Sequence, residues 1–534
     1  MGVLKSIKPA FWLANVQEAG ERLAYFGIRA VLPLMMVSVG TGGLGLSMSQ
    51  KGIIYGIWAL IQCLVPMVSG GFSESFGYKK SIIVAFIINM FGYLMMANIL
   101  NIAELMTGSA ELNQTANFWL MLISGCTIGL GTAIFKPPVG GVVAKSLDEK
   151  SSGLGFGIFY WVVNIGGFLA PMAASALRGT NEAPTWHYVF YGAAIVTLIN
   201  LIFTIVLFKE PDRDAEPVSH SAFEVFRKTL GVLWYDKLML LFLIIVSGFW
   251  LMFMQLWDLL PNFLDEWVDR RGVGQWLSQF GIFNSFLESN GALKPEMIIN
   301  IDSAAIICLV LPLSALFARF RMMTALSLGM AISVVGFVMS GMSMRGEIAC
   351  LAVFIFAIGE IICSPKFDEY VGMTAPEDKK AIYMGFVNIP FAIGWALGDL
   401  ISGPLYDGLS SKPNLAVRYL IEHGADPATL QNLSQDQLMA QIQSMNGLAD
   451  SYEATRLLWD TYSPQSIWLI LGAIGLASMA GLIVFYFKSG MAQKDKENAE
   501  KARKEAEKSE IAQDEAAPGA SVASEPSNPE DFPL

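Results

Sequence analysis

The chain has 534 residues, of which 54% are hydrophobic and 15% are charged, and its 35 Lys+Arg and 46 Asp+Glu give a net charge of −11. Soluble domains carry about 25% charged residues. A chain of this length with so few charges has too little polar surface to face water on every side. The composition therefore excludes a soluble, fibrous, disulfide-scaffold or nucleic-acid-binding protein and indicates an integral membrane protein.

The acidic charge is concentrated at the end of the chain. Residues 489–534 hold 6 basic and 11 acidic residues and become rich in Ala, Ser and Pro, which predicts a disordered cytoplasmic tail. The five cysteines stand singly in apolar segments, so we predict neither a disulfide framework nor a metal site. The apolar stretch near the N-terminus lacks a cleavage site, and no removable signal peptide is predicted.

Twelve apolar stretches are long enough for a helix to cross about 30 Å of hydrocarbon, which takes about 20 residues. They lie near 14–39, 52–73, 81–101, 117–144, 153–177, 187–208, 238–264, 299–318, 322–343, 347–372, 381–404 and 466–487. We call them spans one to twelve. We predict an all-α membrane protein with 12 transmembrane helices in two six-helix bundles.

The polar segments between the spans define the expected domains. Residues 1–208 form an N-terminal six-helix bundle, 209–237 a cytoplasmic linker, 238–488 a C-terminal six-helix bundle, and 489–534 the tail. With both termini in the cytoplasm, 22 Lys and Arg residues lie on inner segments, 9 on outer ones and 4 within spans. The positive-inside rule favours this orientation, and we expect a multi-pass protein of the cell membrane.

Two long polar segments would then lie outside the cell. These are 265–298 and the extracytoplasmic segment 406–465, and both exceed the length of a simple turn. Short interfacial helices are expected in each. The function of 406–465 does not follow from its sequence.

An internal repeat supports the division into two halves. The sequences GTAIFKPPV, beginning at Gly131, and GEIICSPKF, beginning at Gly359, are 228 residues apart, and the same offset relates three pairs of residues: Pro137 and Pro365, Gly157 and Gly385, and Gly166 and Gly394. Spans four and five are thus echoed by spans ten and eleven. A duplication of this kind favours a binding site between the two halves.

Span one carries the most unusual charges. A charged side chain at the centre of a spanning helix costs about 2.5–3.5 kcal/mol even on lenient scales, so it is retained for a partner or a pathway. At about 100° per residue, five polar residues share a stripe about 100° wide. They are Glu18, Glu21, Arg22, Tyr25 and Arg29. We expect the stripe to line the interior, where protonation of one carboxylate would disturb the ion pairs; the alternative is a purely structural salt-bridge cluster.

Two further charges lie inside spans four and ten. Lys136 precedes Pro137 and Pro138, which are expected to interrupt the helix. It is a candidate partner for the span-one carboxylates, or else a lysine that extends toward the inner face. Glu360 lies near the middle of span ten, one turn before an expected break at Ser364-Pro365, and is a candidate site residue or a structural acid.

Other polar groups have ordinary explanations available. Asn164 in span five is a polar anchor for a ligand or an interhelical hydrogen-bond donor. We expect Asp258 in span seven to be solvated at the membrane interface. We expect Lys366, Asp368 and Glu369 in span ten to pair with one another or to extend toward the inner face. The three histidines lie at span edges or in loops, so any proton transfer must use carboxylates.

Four motifs resemble those of the proton-dependent oligopeptide transporters of the major facilitator superfamily. They are EAGERLAYFGIRAVLP at 18–33, GTAIFKPPVGGVVAKS at 131–146, FYWVVNIGGFLAP at 159–171, and GEIICSPKF at 359–367 with AP at 375–376 and MG at 384–385. The loop GGFSESFGYKKS at 70–81 resembles the superfamily's Gly-rich basic loop, with Glu74 or Ser75 where an Asp is usual. The resemblance is close over spans one to five and ten to eleven.

The resemblance implies the superfamily fold and a symporter that imports di- or tripeptides with protons by alternating access. It implies a proton-coupling group of Glu18, Glu21 and Arg22, with Lys136 as salt-bridge partner. It further implies substrate-binding residues: Arg29 and Lys136 for the carboxylate end of the peptide, Tyr25 and Asn164 for its backbone, and Glu360 for its ammonium end. We expect a functional monomer in the lipid bilayer, with no cofactor and no enzymatic activity, because no nucleophile–base pair or phosphate-binding loop is evident.

Departures from the family leave other functions open. Phe253 and Met254 occupy the place of an acidic residue in span seven, and Asp258 lies one turn farther on. Leu64 stands about where a binding tyrosine is common, and Phe26 replaces an aromatic hydroxyl. The alternatives are a proton-coupled symporter of nitrate or another small anion, and a non-transporting membrane sensor or scaffold.

Overall fold

The computed structural model describes residues 7–491 and 493, except 40–41, 68, 70–72, 74–75, 110, 149–150, 211–221, 377–378 and 431–432. Over this part of the chain the secondary structure is α-helical, with one 3₁₀ turn and three isolated β-bridges. The all-α prediction is confirmed. Most of the predicted tail and the first part of the predicted linker lie outside the described residues.

The first half contains six long helices that match spans one to six. They are Pro9–Val37, Met48–Leu64, Tyr78–Ala97, Gln114–Lys145, Ser152–Leu177 and Trp186–Leu207, and the short helix Ile99–Thr107 follows the third. Span two begins at Ser47, whose side chain and that of Gln50 form reciprocal cap hydrogen bonds. These bonds satisfy backbone N–H groups that a helix start otherwise leaves unpaired.

Spans seven to twelve form the second half. They are Lys237–Asp258, Pro295–Phe317, Met322–Gly341, Gly346–Thr374, Asn388–Leu409 and Ser466–Lys488, with Ala222–Tyr235 before span seven and Lys380–Phe386 before span eleven. The compact body of the protein extends to Leu482, and the residues from Ile483 onward form a separate unit.

The two polar segments contain the short helices expected of them. Leu260–Trp267, Arg271–Ser278 and the 3₁₀ turn Asn284–Phe286 join spans seven and eight. Lys412–Glu422, Pro427–Leu430, Gln435–Asn446 and Ser451–Tyr462 precede span twelve.

Within the described residues, ten helical segments are long and apolar enough to cross a membrane, and they correspond to spans three to twelve. Spans one and two fall outside this set, the first because of its charged residues and the second because its helix is short. Span one carries four charged residues, and the span-two helix has only 17 residues. Both helices nevertheless contribute to the same buried core, through Ile28 and Leu32 of span one and Tyr55 and Trp58 of span two.

The prolines do not break their helices, and that prediction is wrong. Span four runs unbroken through Pro137 and Pro138, and span ten runs through Pro365. Proline removes one N–H donor and crowds the preceding turn. In a packed membrane bundle, local adjustment and neighbouring helices compensate the freed backbone groups.

Two helix pairs make most of the contacts between the halves: span two packs against span eleven, and span five against span eight. Glycines allow the first pair to approach closely. A Cβ atom on Gly56 would lie 3.1 Å from the carbonyl oxygen of Ala396, and one on Gly403 would lie 2.5 Å from that of Met48. Small residues at membrane helix interfaces permit this backbone contact.

Candidate functional site

The span-one stripe forms a buried ion-pair cluster. Arg22 Nε lies 3.0 Å from Glu18 Oε1, and Arg22 Nη2 contacts Glu21 Oε2. Glu18, Glu21 and Arg22 are only 6%, 2% and 4% exposed. Thr132 of span four donates a hydrogen bond of 3.2 Å to Glu21, so the cluster is tied to the helix that carries Lys136.

A glycine of the span-five motif makes room for this cluster. A Cβ atom on Gly166 would lie 2.8 Å from Cβ of Arg22. Spans one and five are in extensive contact along this face. The first glycine of the motif, Gly166, therefore permits close packing against the ion pairs.

Lys136 lies near the cluster but outside its ion pairs. Its side chain is exposed, although it lies about two and a half turns from the end of span four at Lys145. Among the described residues, no acid lies within ion-pair distance of it, although Glu18 and Glu21 are near enough to interact electrostatically. The predicted salt bridge from Lys136 to the carboxylates is not formed in this conformation, because Arg22 binds both. An exposed ammonium group at this depth requires an aqueous cavity, since hydrocarbon does not solvate it.

Arg29 binds an acid of the opposite half. Its Nη2 contacts Asp258 Oδ1, and Trp395 of span eleven donates a hydrogen bond of 2.7 Å to Asp258 Oδ2. The Arg29 guanidinium lies 4.1 Å from the centroid of the Tyr55 ring, within cation–π range. Asp258 is 0% exposed, so the expectation that it is solvated at the interface is wrong. Arg29, 229 residues away in the chain, compensates its charge.

This contact also explains the apparent loss of an acidic residue in span seven. Phe253 and Met254 occupy the usual position, but residues four apart on a helix share a face, so Asp258 remains on the same side of the helix as Met254. The sequence contained this signal. It would have been found by allowing the acidic residue to lie one helical turn away from its usual position.

More polar contacts join the halves at the predicted outer end. Lys51 donates to the backbone oxygen of Asp258 and to Asn262 Oδ1, each at 2.6 Å. Asn262 in turn donates to the carbonyl oxygen of Pro33 at 2.8 Å. Asp407 accepts a hydrogen bond of 2.8 Å from the backbone N–H of Ser49.

A second network at the same end centres on Arg178. This residue follows span five, is 0% exposed, and binds Glu296 at 2.6 Å and Glu288 at 2.5 Å. Lys294 Nζ donates to the carbonyl oxygen of Ser175 at 2.6 Å. The sequence analysis did not single out Arg178, because a basic residue just beyond a span is ordinary.

Tyr25 and Asn164, the residues predicted to bind a peptide backbone, differ in burial and in their hydrogen-bond partners. Tyr25 is 3% exposed, and its hydroxyl donates to Gln62 Oε1 at 2.8 Å. Trp58 Nε1 donates to the same oxygen at 2.9 Å, so Tyr25 is held within the core. Asn164 is half-buried and donates to the carbonyl oxygen of Tyr160 at 2.8 Å. The side chain of Tyr160 is 50% exposed.

Glu360 lies near a residue that the sequence analysis missed. Asp302 in span eight, which is 2% exposed, lies near enough for its carboxyl group to interact electrostatically with that of Glu360. Asp302 is a lone acid in the apolar run IINIDSAAIICLV. The free-energy cost of placing a carboxylate in a membrane is the sequence signal that marks it as a candidate site residue. Lower in span ten, Lys366 binds Glu369 at 2.8 Å, as expected.

Comparison with known proteins places the chain in a family. The Major Facilitator Superfamily family model matches residues 20–398. The peptide transporter YePEPT of Yersinia enterocolitica is 29% identical over 192 residues, which are 35% of this chain and 34% of that protein. The multidrug resistance protein MdtH of Baumannia cicadellinicola is 22% identical over 386 residues, 72% of this chain and 82% of that one. The first match thus spans about a third of its relative.

Solved structures show the same fold at low sequence identity. The nucleoside transporter NupG superposes with a TM-score of 0.62 at 12% identity, over 89% of this chain and 100% of that one. The peptide transporter PepTSo2 superposes with a TM-score of 0.59 at 16% identity, over 91% of this chain and 98% of that one. These likenesses confirm the superfamily fold.

The relatives and the fold are those of transporters, which confirms that the chain is not an enzyme and disfavours a non-transporting sensor. The resemblance to the proton-dependent oligopeptide transporters, predicted from four motifs, is confirmed by the similarity to YePEPT. The chain belongs to the Major Facilitator Superfamily.

Proposed function

We propose that this transporter imports di- or tripeptides together with protons by alternating access between its two halves. One observation carries the proposal: the buried Glu18–Arg22–Glu21 cluster lies beside the exposed Lys136. The similarity to proteins named peptide transporters supports the choice of substrate.

The charge balance of this cluster couples protons to substrate. Two carboxylates, Glu18 and Glu21, face two cations, Arg22 and Lys136, so the group is neutral when both acids are ionised. A proton on either acid leaves one surplus positive charge. In a poorly solvated site that charge attracts the carboxylate end of a peptide, so proton binding strengthens peptide binding and peptide binding strengthens proton binding.

The contacts between the halves support an inward-facing state. Arg29–Asp258 and Arg178–Glu296 join the predicted outer ends. The side chains of Lys136 in span four and Tyr160 in span five are exposed. Opening of the outer ends and closing of the inner ends would carry the substrate across.

The decisive experiment is uptake of a radiolabelled dipeptide into proteoliposomes with and without an outside-acid pH gradient. We expect the gradient to increase wild-type uptake at least tenfold. Glu21→Gln is expected to abolish gradient-driven uptake but to keep peptide exchange, because its amide no longer takes up a proton. Glu347→Gln, a change on an exposed acid of span ten, is the matched control and retains wild-type uptake. Wild-type uptake that ignored the gradient, or Glu21→Gln uptake at the wild-type level, would refute proton coupling.

A small anion is the second candidate substrate. The Tyr25 hydroxyl is hydrogen-bonded to Gln62, and Leu64 and Phe26 provide no hydroxyl group. Fewer polar groups are therefore available to bind a peptide backbone. Inhibition of dipeptide uptake by a peptide panel, compared with nitrate and small carboxylates, separates the two substrate classes. Inhibition by anions but not by peptides would favour the second candidate.

A further inference from the structure

The internal repeat places glycines at equivalent positions of the two halves, and all of them lie within helices. Glycine destabilises a helix interior relative to alanine, because it loses more backbone freedom and packs no side chain. A glycine at the same place in both halves therefore calls for a structural reason. Three such pairs are 228 residues apart: Gly131 and Gly359, Gly157 and Gly385, and Gly166 and Gly394.

Packing within each half explains the first pair. A Cβ atom on Gly131 of span four would collide with the side chain of Asn89 in span three. A Cβ atom on Gly359 of span ten would collide with Ser333 in span nine. Spans three and nine are equivalent in the repeat, so the two glycines serve the same contact.

Packing within each half also explains the third pair. A Cβ atom on Gly166 of span five would lie 2.8 Å from Cβ of Arg22 in span one. A Cβ atom on Gly394 of span eleven would lie 2.7 Å from Cβ of Trp250 in span seven. Spans one and seven are again equivalent, so this contact too is repeated in both halves.

The remaining pair has no such contact. A Cβ atom on Gly157 or on Gly385 would have no atom of the described residues within 4 Å. Gly157 is the sixth residue of the helix Ser152–Leu177, and Gly385 is the sixth residue of the helix Lys380–Phe386. Both therefore lie at the predicted inner end of their half, beside open space.

The face of span five that carries Gly157 looks toward the opposite half. Residues three and seven positions apart on a helix share a face, so Gly157 lies on the side of Tyr160 and Asn164. Tyr160 lies near enough to Glu360 and Asp368 of span ten to interact with them electrostatically. Span ten would therefore meet Gly157 if the inner ends approached each other.

The repeat predicts the corresponding contact for Gly385. Spans five and ten are equivalent to spans eleven and four, so the helix that precedes span eleven is expected to face span four. Gly140 of span four, one turn beyond Lys136, likewise has no atom of the described residues within 4 Å of a Cβ position. Both approaches thus have room for close contact between helices.

We propose that Gly157 and Gly385 are the positions at which the inner ends of the two halves close in the outward-facing state. Gly157 then packs against span ten and Gly385 against span four, because glycine lets helix backbones approach closely. These contacts are open in the present structure, whose predicted outer ends are joined by Arg29–Asp258 and Arg178–Glu296. This inference rests on the proposed alternating access and names the residues that close its inner end.

The test uses the full-length variants Gly157→Leu and Gly385→Leu. The matched control is Gly408→Leu, which changes a glycine of span eleven that is equally open but lies at the predicted outer end. Uptake and exchange of radiolabelled Ala-Ala are measured in proteoliposomes. Binding of Ala-Ala and the melting temperature are measured in detergent.

Both leucine variants are expected to melt within about 2 °C of the wild type and to keep its affinity for Ala-Ala, since the added side chain meets no neighbour in this state. Uptake and exchange are expected to fall by at least about tenfold, in kcat rather than KM, because the side chain holds the closing helices apart. Loss of exchange separates this defect from that expected of Glu21→Gln, which keeps exchange. Gly408→Leu is expected to transport normally.

Wild-type uptake and exchange in both leucine variants would overturn the inference. A melting temperature far below that of the wild type would also overturn it, because it would mean that the two positions are already packed. Gly157→Ala and Gly385→Ala repeat the comparison with one added methyl group, and uptake is expected to fall in the order Gly, Ala, Leu. Failure of the wild type to take up Ala-Ala would instead reject the proposed function.

Discussion

At the scale of single residues, most buried charges in this protein have a partner of opposite sign. Arg22 binds two carboxylates and Arg29 binds Asp258. Removing one member of such a pair leaves an uncompensated buried charge, which costs about 3–5 kcal/mol. The exposed Lys136 and the buried Asp302 and Glu360 are different, because no described residue of opposite charge lies within ion-pair distance of them. Groups of this kind are available to a substrate or a proton.

Replacement of Lys136 by Ala is expected to lower dipeptide uptake at least tenfold. The variant loses the cation proposed to bind the substrate carboxylate, and its thermal unfolding in detergent is expected to change little, since no ion pair is broken. Lys145→Ala removes the same charge from the same helix and is expected to transport normally. A C-terminally amidated dipeptide provides the check: if Lys136 binds the carboxylate, this ligand binds equally to the wild type and to Lys136→Ala.

A second residue-scale prediction concerns pH and Glu266. Burial raises the pKa of Glu266 to about 7, despite hydrogen bonds from Lys412 N–H and the Tyr406 hydroxyl. The folded protein therefore holds a proton that the unfolded chain, with an ordinary glutamate pKa of about 4.3, has lost. Stability contributed by this group falls as the pH rises from about 4.5 to 7 and is level above that range.

We therefore expect the wild-type melting temperature to be higher at pH 5 than at pH 8. The difference is expected to shrink in Glu266→Gln, whose side chain does not titrate. The exposed Glu347→Gln is expected to keep the full difference. The measurement is differential scanning fluorimetry in one detergent across this pH range. A pH profile of Glu266→Gln that matches the wild type would contradict the assignment.

At the scale of helices, packing governs features that local sequence rules misjudge. Spans four and ten continue through their prolines, and span two spans only 17 helical residues yet packs along span eleven. Gly56 of span two and Gly403 of span eleven lack side chains where the backbones of these two helices meet. The positions of these glycines predict which substitutions destabilise the contact between spans two and eleven.

Substitution of Gly403 by Val is expected to destabilise the protein by about 1–3 kcal/mol, the usual cost of forced overpacking. Its Cβ atom would collide with the carbonyl oxygen of Met48, a backbone atom that does not rotate away. Gly408→Val lies on the same helix with nothing within 4 Å of a Cβ atom, so little change is expected there. Thermal unfolding in detergent measures both, and equal melting temperatures would show that spans two and eleven separate readily.

At the scale of the whole molecule, charged contacts join the two halves at the predicted outer end. Arg29–Asp258 lies beside spans two and eleven, whereas Arg178–Glu296 lies beside spans five and eight. Both helix pairs that join the halves thus carry an ion pair at the predicted outer end. In the proposed alternating-access cycle, these pairs break and re-form.

Arg178→Ala is expected to destabilise the closed outer end, because Glu288 and Glu296 remain buried at 7% and 1% exposure without their cation. The expected loss is about 3–5 kcal/mol, the cost of breaking a buried pair from one side. Arg271→Ala breaks an exposed pair and is expected to cost about 0–1 kcal/mol. Melting temperatures in detergent compare the two, and a stable Arg178→Ala protein would mean that the network contributes little to closure.

The sequence alone determined the membrane class, the approximate position of each span, and the location of Glu18, Glu21, Arg22, Lys136 and Glu360 in the helices that carry them. These features depend on local quantities. Apolar length sets whether a helix spans the bilayer, and helical periodicity sets which side chains share a face. The short helices of 265–298 and 406–465 followed from length and polarity in the same way.

Only the tertiary structure decided which charges meet. Asp258 becomes the partner of Arg29, Asp302 the neighbour of Glu360, and Arg22 rather than Lys136 binds the span-one carboxylates. Such partners lie up to 229 residues apart in the chain. The free energy of a buried charge depends on the group packed against it, and that neighbour is set by how the helices assemble.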